Sequence, residues 1–113
     1  MNFKDCQRLS DKTHRFYSDA GHGWIAVKIS DCFLLGIAHK ITPYSYVRGL
    51  TAYLEEDCDM PMYIAAYKEL TGSDGIKHAH TDHGQSSIIR SYGRWNYSKV
   101  EQVHLKVNLG KPE

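Results

Sequence analysis

The sequence predicts a single α+β domain, in which one main helix packs on a twisted, mostly antiparallel sheet that could be partly closed into a barrel. Apolar side chains recur at every second position in residues 24–29 and 50–55, as in strands with one buried face. Between residues 59 and 72 the spacing changes to that of a helix. A length of 113 residues, 42% of them hydrophobic and 24% charged, fits one globular domain. We assign residues 13–113 to this domain and expect the polar residues 1–12 to form a flexible N-terminus.

The first third of the chain contains short apolar runs separated by polar or glycine-containing turns. Three elements are predicted there, namely strands at residues 14–17 and 24–29 and a helix at residues 32–36. The side-chain oxygen of Ser30 or Asp31 can cap that helix, and Gly36 can end it. The face of the second strand that we expect in the core carries Ile25, Val27 and Ile29.

A tyrosine-rich segment and the main helix come next. Residues 44–56 are predicted to be strand-like, with Gly49 as a bend, bulge or turn. The helix starts near Asp57 or Asp59, which can cap it, and ends near Gly72. Its predicted core contacts are Tyr63, Ala66, Tyr67 and Leu70, and those of the preceding strand are Leu50, Ala52 and Leu54.

Three further strands are predicted in the C-terminal third, at residues 75–80, 86–95 and 103–109. The last has the clearest pattern, because Val103, Leu105, Val107 and Leu109 alternate with polar residues. Strands on both sides of a long helix are typical of an α+β domain.

The charge and cysteine content argue against several functional classes. The net charge of +1 gives no overall attraction to nucleic acid or to membranes. The three cysteines are widely spaced and form no paired metal or redox motif, so we expect free thiols in a reducing cytoplasm. Residues 1–6 lack an apolar signal segment, and no apolar run is long enough to span a membrane. We therefore expect no membrane partner.

The densest polar cluster, residues 77–83, has two interpretations. On a strand, His78 and His80 project to the same face and could share one zinc ion. Asp82 or His83 could supply a third ligand, and an open fourth position could activate water for hydrolysis. The alternative is a solvent-facing strand and turn rich in histidine, since a lone His-x-His motif has little specificity.

Residues 90–97 interleave arginines with aromatic side chains, which are favoured anchors of protein interfaces and also stack on nucleic-acid bases. The predicted contact residues are Tyr44, Tyr46, Arg90, Tyr92, Arg94 and Trp95. A nucleic-acid interface would instead use Arg90, Arg94 and Lys99. Residues 21–24, Gly-His-Gly-Trp, form a predicted turn in which His22 and Trp24 could line a small-molecule or nucleotide pocket.

Four segments together resemble a family of small proteins encoded in phage and plasmid genomes. They are residues 21–24 (GHGW), 37–46 (IAHKITPYSY), 53–59 (YLEEDCD) and 89–92 (IRSY). The resemblance extends over about residues 17–95 and brings no catalytic or ligand residues with it. It implies an accessory protein of a mobile element, a class whose members often bind host proteins, including CRISPR and restriction machinery.

We therefore expect a non-enzymatic protein that inhibits or modulates a host protein complex in the host cytoplasm, with CRISPR or another antiviral defence as the setting. The sequence has no nucleophile elbow, phosphate-binding loop or paired-cysteine motif. Cys58 is also a poor nucleophile, because the neighbouring acids disfavour its thiolate. The two alternatives are a nucleic-acid-binding accessory protein and a zinc-dependent hydrolase that uses His78, His80 and His83.

Overall fold

Six strands form one open mixed sheet. The computed structural model describes residues 14–73, 75–82 and 86–109, and the side chains of these residues except 76–78, 108 and 109. The strands are β1 (His14–Asp19), β2 (Gly23–Lys28), β3 (Tyr46–Arg48), β4 (Thr51–Glu55), β5 (Ile76–Asp82) and β6 (Gly93–Arg94). Their order is β5-β1-β2-β4-β3-β6, and only β1 and β5 are parallel. The predicted α+β class is confirmed, whereas closure into a barrel does not occur. The predicted flexible N-terminus, residues 1–12, lies outside the described residues.

The main helix agrees with its prediction. The described residues form three α-helices, α1 (Ile29–Leu34), α2 (Met60–Thr71) and α3 (Tyr97–Leu109), and two 3₁₀ turns, Ala38–Lys40 and Ile88–Ser91. Pro61 lies in the first turn of α2, where its missing N–H has no helical partner to lose. Gly72 ends the helix with a φ of 79°, a left-handed conformation that glycine adopts without steric cost.

Two elements differ in detail from their predictions. The short helix α1 begins at Ile29, and neither Ser30 nor Asp31 caps it, because the N-cap position is Lys28 and makes no side-chain bond. The tyrosine-rich segment is a hairpin of β3 and β4 that begins at Tyr46 rather than at residue 44, and of the bend, bulge or turn predicted at Gly49 it is the turn that forms. Gly49, with a φ of 59°, makes this turn between β3 and β4.

The core lies between α1 and α2 and one face of the sheet. Its central members are Ile25, Val27, Ile29, Ala52, Leu54, Tyr63 and Tyr67, with Ala66 packed at the margin. Two predicted core residues are exposed instead. Leu50 is 56% exposed because it lies in the turn of the β3–β4 hairpin, and Leu70 is 40% exposed because it lies in the last turn of α2.

The C-terminal third contains the largest departures from the predictions. Residues 103–109 belong to the helix α3 rather than to a strand, and Val100 is its deeply buried anchor, with 2% exposure. The side chain of Leu105 is 51% exposed. Residues 86–95 form a 3₁₀ turn and the two-residue strand β6 instead of one long strand, because the Ser87 hydroxyl accepts the N–H of Ile89 and starts the turn.

The opposite face of the sheet is aromatic. A second buried cluster is formed there by Trp24, Tyr46 and Ile89, with partly buried side chains around it, namely Tyr17, Tyr53 and Tyr92. Besides the strands, the 3₁₀ turn of residues 88–91 and the adjoining Tyr92 contribute to this cluster, and no described α-helix does. The aromatic face is therefore less deeply covered than the helical face, and it contains the cleft described next.

Candidate binding cleft

The aromatic face contains a cleft with a volume of about 390 Å³, which we call the aromatic cleft. It is lined by His22, Trp24, Tyr44, Tyr46, Glu55, Asp57, Cys58, Arg90 and Arg94. Its volume lies within the range of ligand-binding pockets, roughly 300–1,000 Å³. Rings and charged groups of both signs therefore surround a space large enough for several side chains.

Strand register explains why these residues meet. Trp24 of β2 lies directly opposite Glu55 of β4, and Tyr46 of β3 lies opposite Arg94 of β6. Residues that face each other across a strand pair project to the same side of the sheet. The Arg94 guanidinium accordingly lies 5.0 Å from the centre of the Tyr46 ring, a cation–π distance.

An ion pair between the exposed Arg90 and the buried Asp19 forms one wall of the cleft. The Arg90 guanidinium donates two hydrogen bonds to the carboxylate of Asp19, at 2.6 and 2.9 Å. The same carboxylate accepts the backbone N–H groups of Gly21, His22 and Ser87 at 2.9–3.0 Å. The bonds from Arg90, followed by those from the backbone, hold the pKa of Asp19 far below its usual range although burial opposes this. The charge of Arg90 is thus neutralised within the protein.

The acidic side of the cleft is built around Glu55, which is 6% exposed. Its Oε2 accepts the backbone N–H groups of Asp57 and Cys58 at 3.0 and 2.9 Å, and its Oε1 lies 3.4 Å from Nδ1 of His22. A hydrogen bond with Glu55, with smaller effects of desolvation and nearby acids, raises the pKa of the Cys58 thiol. This thiol is therefore protonated at neutral pH, which agrees with the expectation that Cys58 is a poor nucleophile.

Two charged side chains of the cleft have no counterion among the described residues. Arg94 donates one hydrogen bond to the Pro43 carbonyl oxygen at 3.0 Å and otherwise contacts the Tyr46 ring. The exposed carboxylate of Asp57 has neither an ion pair nor a side-chain hydrogen bond in the described part of the chain. The cleft thus presents one free cation and one free anion.

A buried carboxylate fixes the loop that carries Tyr44. Asp59, 1% exposed, accepts a hydrogen bond from the Thr42 hydroxyl at 2.7 Å and another from the Ser45 hydroxyl. The Ser45 oxygen in turn accepts the N–H of Glu55 at 3.0 Å. Asp59 was predicted as a helix cap, but its side chain makes no cap bond to α2 and instead joins the start of α2 to the loop.

Four of the six predicted contact residues lie together in the cleft, namely Tyr44, Tyr46, Arg90 and Arg94. Tyr92 lies outside it, where its hydroxyl accepts a hydrogen bond from Arg48 at 3.2 Å and its ring packs on Tyr53. Trp95 cannot contact a partner, because it is 3% exposed and packs in the helical core. It follows Arg94 directly, so the alternation of the chain turns it to the opposite face.

Sequence reasoning missed the acidic side of the cleft, although the acidic run at residues 55–59 was a signal for it. It considered Asp57 and Asp59 of that run only as candidate caps of the main helix. It did single out His22 and Trp24 as possible pocket residues, and both line the cleft.

The zinc prediction is only partly covered by the described residues. Residues 76–82 do form a strand, and the imidazole of His80, with the side chain 60% exposed, lies 3.0 Å from the Asp82 carboxylate. The side chain of His78 and the whole of His83 lie outside the described residues. Within the described part of the chain, no three His, Cys, Asp or Glu residues are arranged to hold a metal ion. Zinc binding therefore stays a prediction.

No helix in the described parts of the chain combines the length and apolar character needed to cross a membrane. Comparison with protein-family models, with curated proteins and with solved structures gives no match. The resemblance to the phage and plasmid family therefore stays a prediction.

Proposed function

We propose that the chain is a non-enzymatic accessory protein of a mobile element that inhibits or modulates a host protein complex in the host cytoplasm. CRISPR or another antiviral defence is the setting that the sequence resemblance favours. One observation carries the binding part of this proposal. Aromatic and arginine residues from two segments that are distant in sequence, Tyr44 and Tyr46 in one and Arg90 and Arg94 in the other, line the same cleft.

The chemistry of the cleft supports binding rather than covalent catalysis. Arg90 is tied to Asp19, and one oxygen of Glu55 is held by two backbone amides. The raised pKa of Cys58 keeps its thiol in the protonated, weakly nucleophilic form. Tyrosine and arginine, by contrast, are favoured anchors of protein interfaces, and Tyr44 is 63% exposed.

The nucleic-acid alternative has less support. A phosphate backbone in the aromatic cleft would approach the carboxylates of Glu55 and Asp57, and these like charges would repel it. Of the three cations predicted for that role, Arg90 already has Asp19 as its counterion, and Lys99 does not line the cleft.

The test is affinity capture from nuclease-treated host lysate with the tagged full chain. We expect a discrete protein complex, and we expect Tyr44→Ala and Arg94→Ala each to weaken its capture about tenfold or more, as for residues at the centre of an interface. Arg15→Ala and Tyr97→Ala are matched controls, because they remove exposed side chains of the same types outside the cleft and should leave capture unchanged. Absence of a discrete protein partner, or equal losses in test and control variants, would refute the proposal.

A further inference from the structure

We infer that the aromatic cleft receives a protein segment that presents a basic and an acidic side chain next to each other. The basic side chain lies toward Glu55 and Asp57, and the acidic side chain lies toward Arg94. This inference rests on the proposed function and adds the chemistry of the segment that is bound.

Only some of the charges in the cleft are left for a partner. Asp19 neutralises Arg90 within the protein, so this arginine forms a wall without offering a free charge. Arg94 and Asp57 have no counterion among the described residues. Glu55 also keeps its Oε1 directed to the weak contact with His22, at 3.4 Å. The charges left for a partner are therefore the Arg94 guanidinium, the Asp57 carboxylate and the one oxygen of Glu55 that no backbone amide holds.

The remaining charges do not neutralise each other. No nitrogen of Arg94 lies within 4.0 Å of a carboxylate oxygen of Glu55 or Asp57. Arg94 is held instead by the Pro43 carbonyl group and the Tyr46 ring. A partner that bridges the cleft can thus satisfy both signs of charge at once.

An ion of a single sign would be a poor occupant of the aromatic cleft. A small anion at Arg94 would leave the carboxylates unpaired, and a lone cation at the carboxylates would leave Arg94 unpaired. Tyr46 lies on β3, the strand between β4, which carries Glu55, and β6, which carries Arg94, and Trp24 and the exposed Tyr44 also line the cleft. Such rings suit the aliphatic stems of long charged side chains. A peptide with both charges therefore complements the whole lining of the cleft.

The inference can be tested with blocked tripeptides and NMR titration of the isotope-labelled full chain. The main probe is acetyl-Arg-Gly-Glu-amide, with acetyl-Glu-Gly-Arg-amide as its reversed partner. Two neutral analogues of the better binder replace arginine by citrulline and glutamate by glutamine. The amides of Asp57, Cys58 and Arg94 report binding, as does the indole N–H of Trp24, which is buried without a hydrogen-bond partner among the described residues.

We expect saturable shifts of these signals with one of the two charged peptides, and at least threefold weaker binding of each neutral analogue. Double-mutant cycles then assign the contacts. When the protein carries Asp57→Asn, replacing the arginine of the peptide by citrulline should weaken binding little further. When the protein carries Arg94→Gln, replacing the glutamate of the peptide by glutamine should likewise weaken binding little further. Lys68→Gln and Glu69→Gln, which remove exposed charges of α2 outside the cleft, should leave all affinities unchanged.

The inference is overturned if neither charged peptide gives saturable shifts at the cleft, or if the neutral analogues bind equally well. Its failure can be told apart from failure of the proposed function. A peptide that binds as expected, while host lysate yields no protein partner, refutes the proposed function and supports the charge inference. A captured partner that needs Tyr44 but is unaffected by Asp57→Asn refutes the charge inference alone.

Discussion

The ion pair between Asp19 and Arg90 is a feature of the site that the sequence predicts only in part. The sequence identifies Arg90 as a contact candidate because it stands in a run of aromatic and basic residues. It gives no sign that Asp19, 71 positions earlier, is its partner. That pairing arises only when the end of β1 and the turn of residues 88–91 meet. Residue type thus predicts which side chains can bind, and tertiary structure decides which charges remain free.

The depressed pKa of Asp19 makes a pH-dependent stability prediction. The pKa of this carboxyl is lower in the folded chain than in the unfolded chain, where it has its usual value of 3.8. The ionised carboxyl therefore stabilises the fold at pH values above 3.8, and this stabilisation is lost as the pH falls below 3.8. Asp19→Asn should lower the free energy of unfolding by roughly 2 kcal/mol at pH 7, since asparagine has one accepting oxygen instead of two and no negative charge to compensate the partly exposed Arg90. Urea unfolding at pH 7 and pH 3 measures this loss.

At pH 3 the difference between wild type and Asp19→Asn should be smaller by about 1 kcal/mol, because the unfolded wild-type chain gains a proton that the folded chain does not. Asp57→Asn is the control, since the exposed carboxylate of Asp57 makes no hydrogen bond or ion pair with the described residues and its replacement should change stability little at either pH. A loss in Asp19→Asn that is identical at both pH values would contradict the assignment.

At the scale of secondary-structure elements, an element is predicted correctly from the sequence when its local signals agree with one another. The helix α2 is predicted correctly because helical spacing, Pro61 in the first turn and Gly72 at the end all point to the same structure. Residues 103–109 are predicted wrongly because their apolar side chains alternate as in a strand, although the chain forms α3 there. Among the side chains of α3 that the structure describes, residues 97–107, only Val100 is fully buried, and Leu105 is exposed. The alternation of apolar residues in this segment predicts the wrong structure because it does not correspond to the face of α3 that is buried.

The link between α2 and β5 gives a prediction at this scale. Gly75 has a φ of 71°, and a Cβ atom there would lie 2.6 Å from Nδ1 of His14 and 2.9 Å from Cε1 of Tyr67. Gly49 has a similar φ of 59°, but a Cβ atom there would meet no atom within 4 Å. Gly49→Ala should therefore cost only the backbone strain, about 1–2 kcal/mol. Gly75→Ala should cost at least about 1 kcal/mol more, because it also overpacks the buried rings.

Chemical denaturation of the two glycine variants and the wild-type chain measures both losses. The comparison isolates the steric contribution, since both positions have a left-handed backbone. Relief by ring movement is restricted at His14, because its Nε2 is hydrogen-bonded to the Tyr63 hydroxyl at 3.0 Å. Equal losses in Gly49→Ala and Gly75→Ala would show that the rings around Gly75 give way without cost.

At the scale of the whole molecule, the sequence predicts the class of fold but not the arrangement that makes the cleft. Period-two and helical patterns are local, so they suffice for an α+β domain with one main helix. The parallel pairing of β1 with β5 and the position of β6 beside β3 depend on contacts between distant segments. The second of these brings Arg94 over Tyr46 and into the cleft that Glu55 and Asp57 also line. The cleft thus depends on the pairing of distant strands, which cannot be predicted from local sequence patterns.

The charge distribution of the whole molecule leads to a prediction about salt. The net charge is +1, and the cleft contains both signs of charge, so a protein partner should be held by packing and a few ion pairs. We expect the Kd of the captured partner to rise less than about tenfold between 50 and 200 mM salt. A nucleic-acid complex with six or more phosphate contacts would weaken about a thousandfold or more over that range. Titration of the purified partner at several salt concentrations gives this slope, and Arg94→Ala should make it shallower because one ion pair is lost. A steep slope, together with tight binding of DNA or RNA of arbitrary sequence, would instead establish the nucleic-acid-binding alternative.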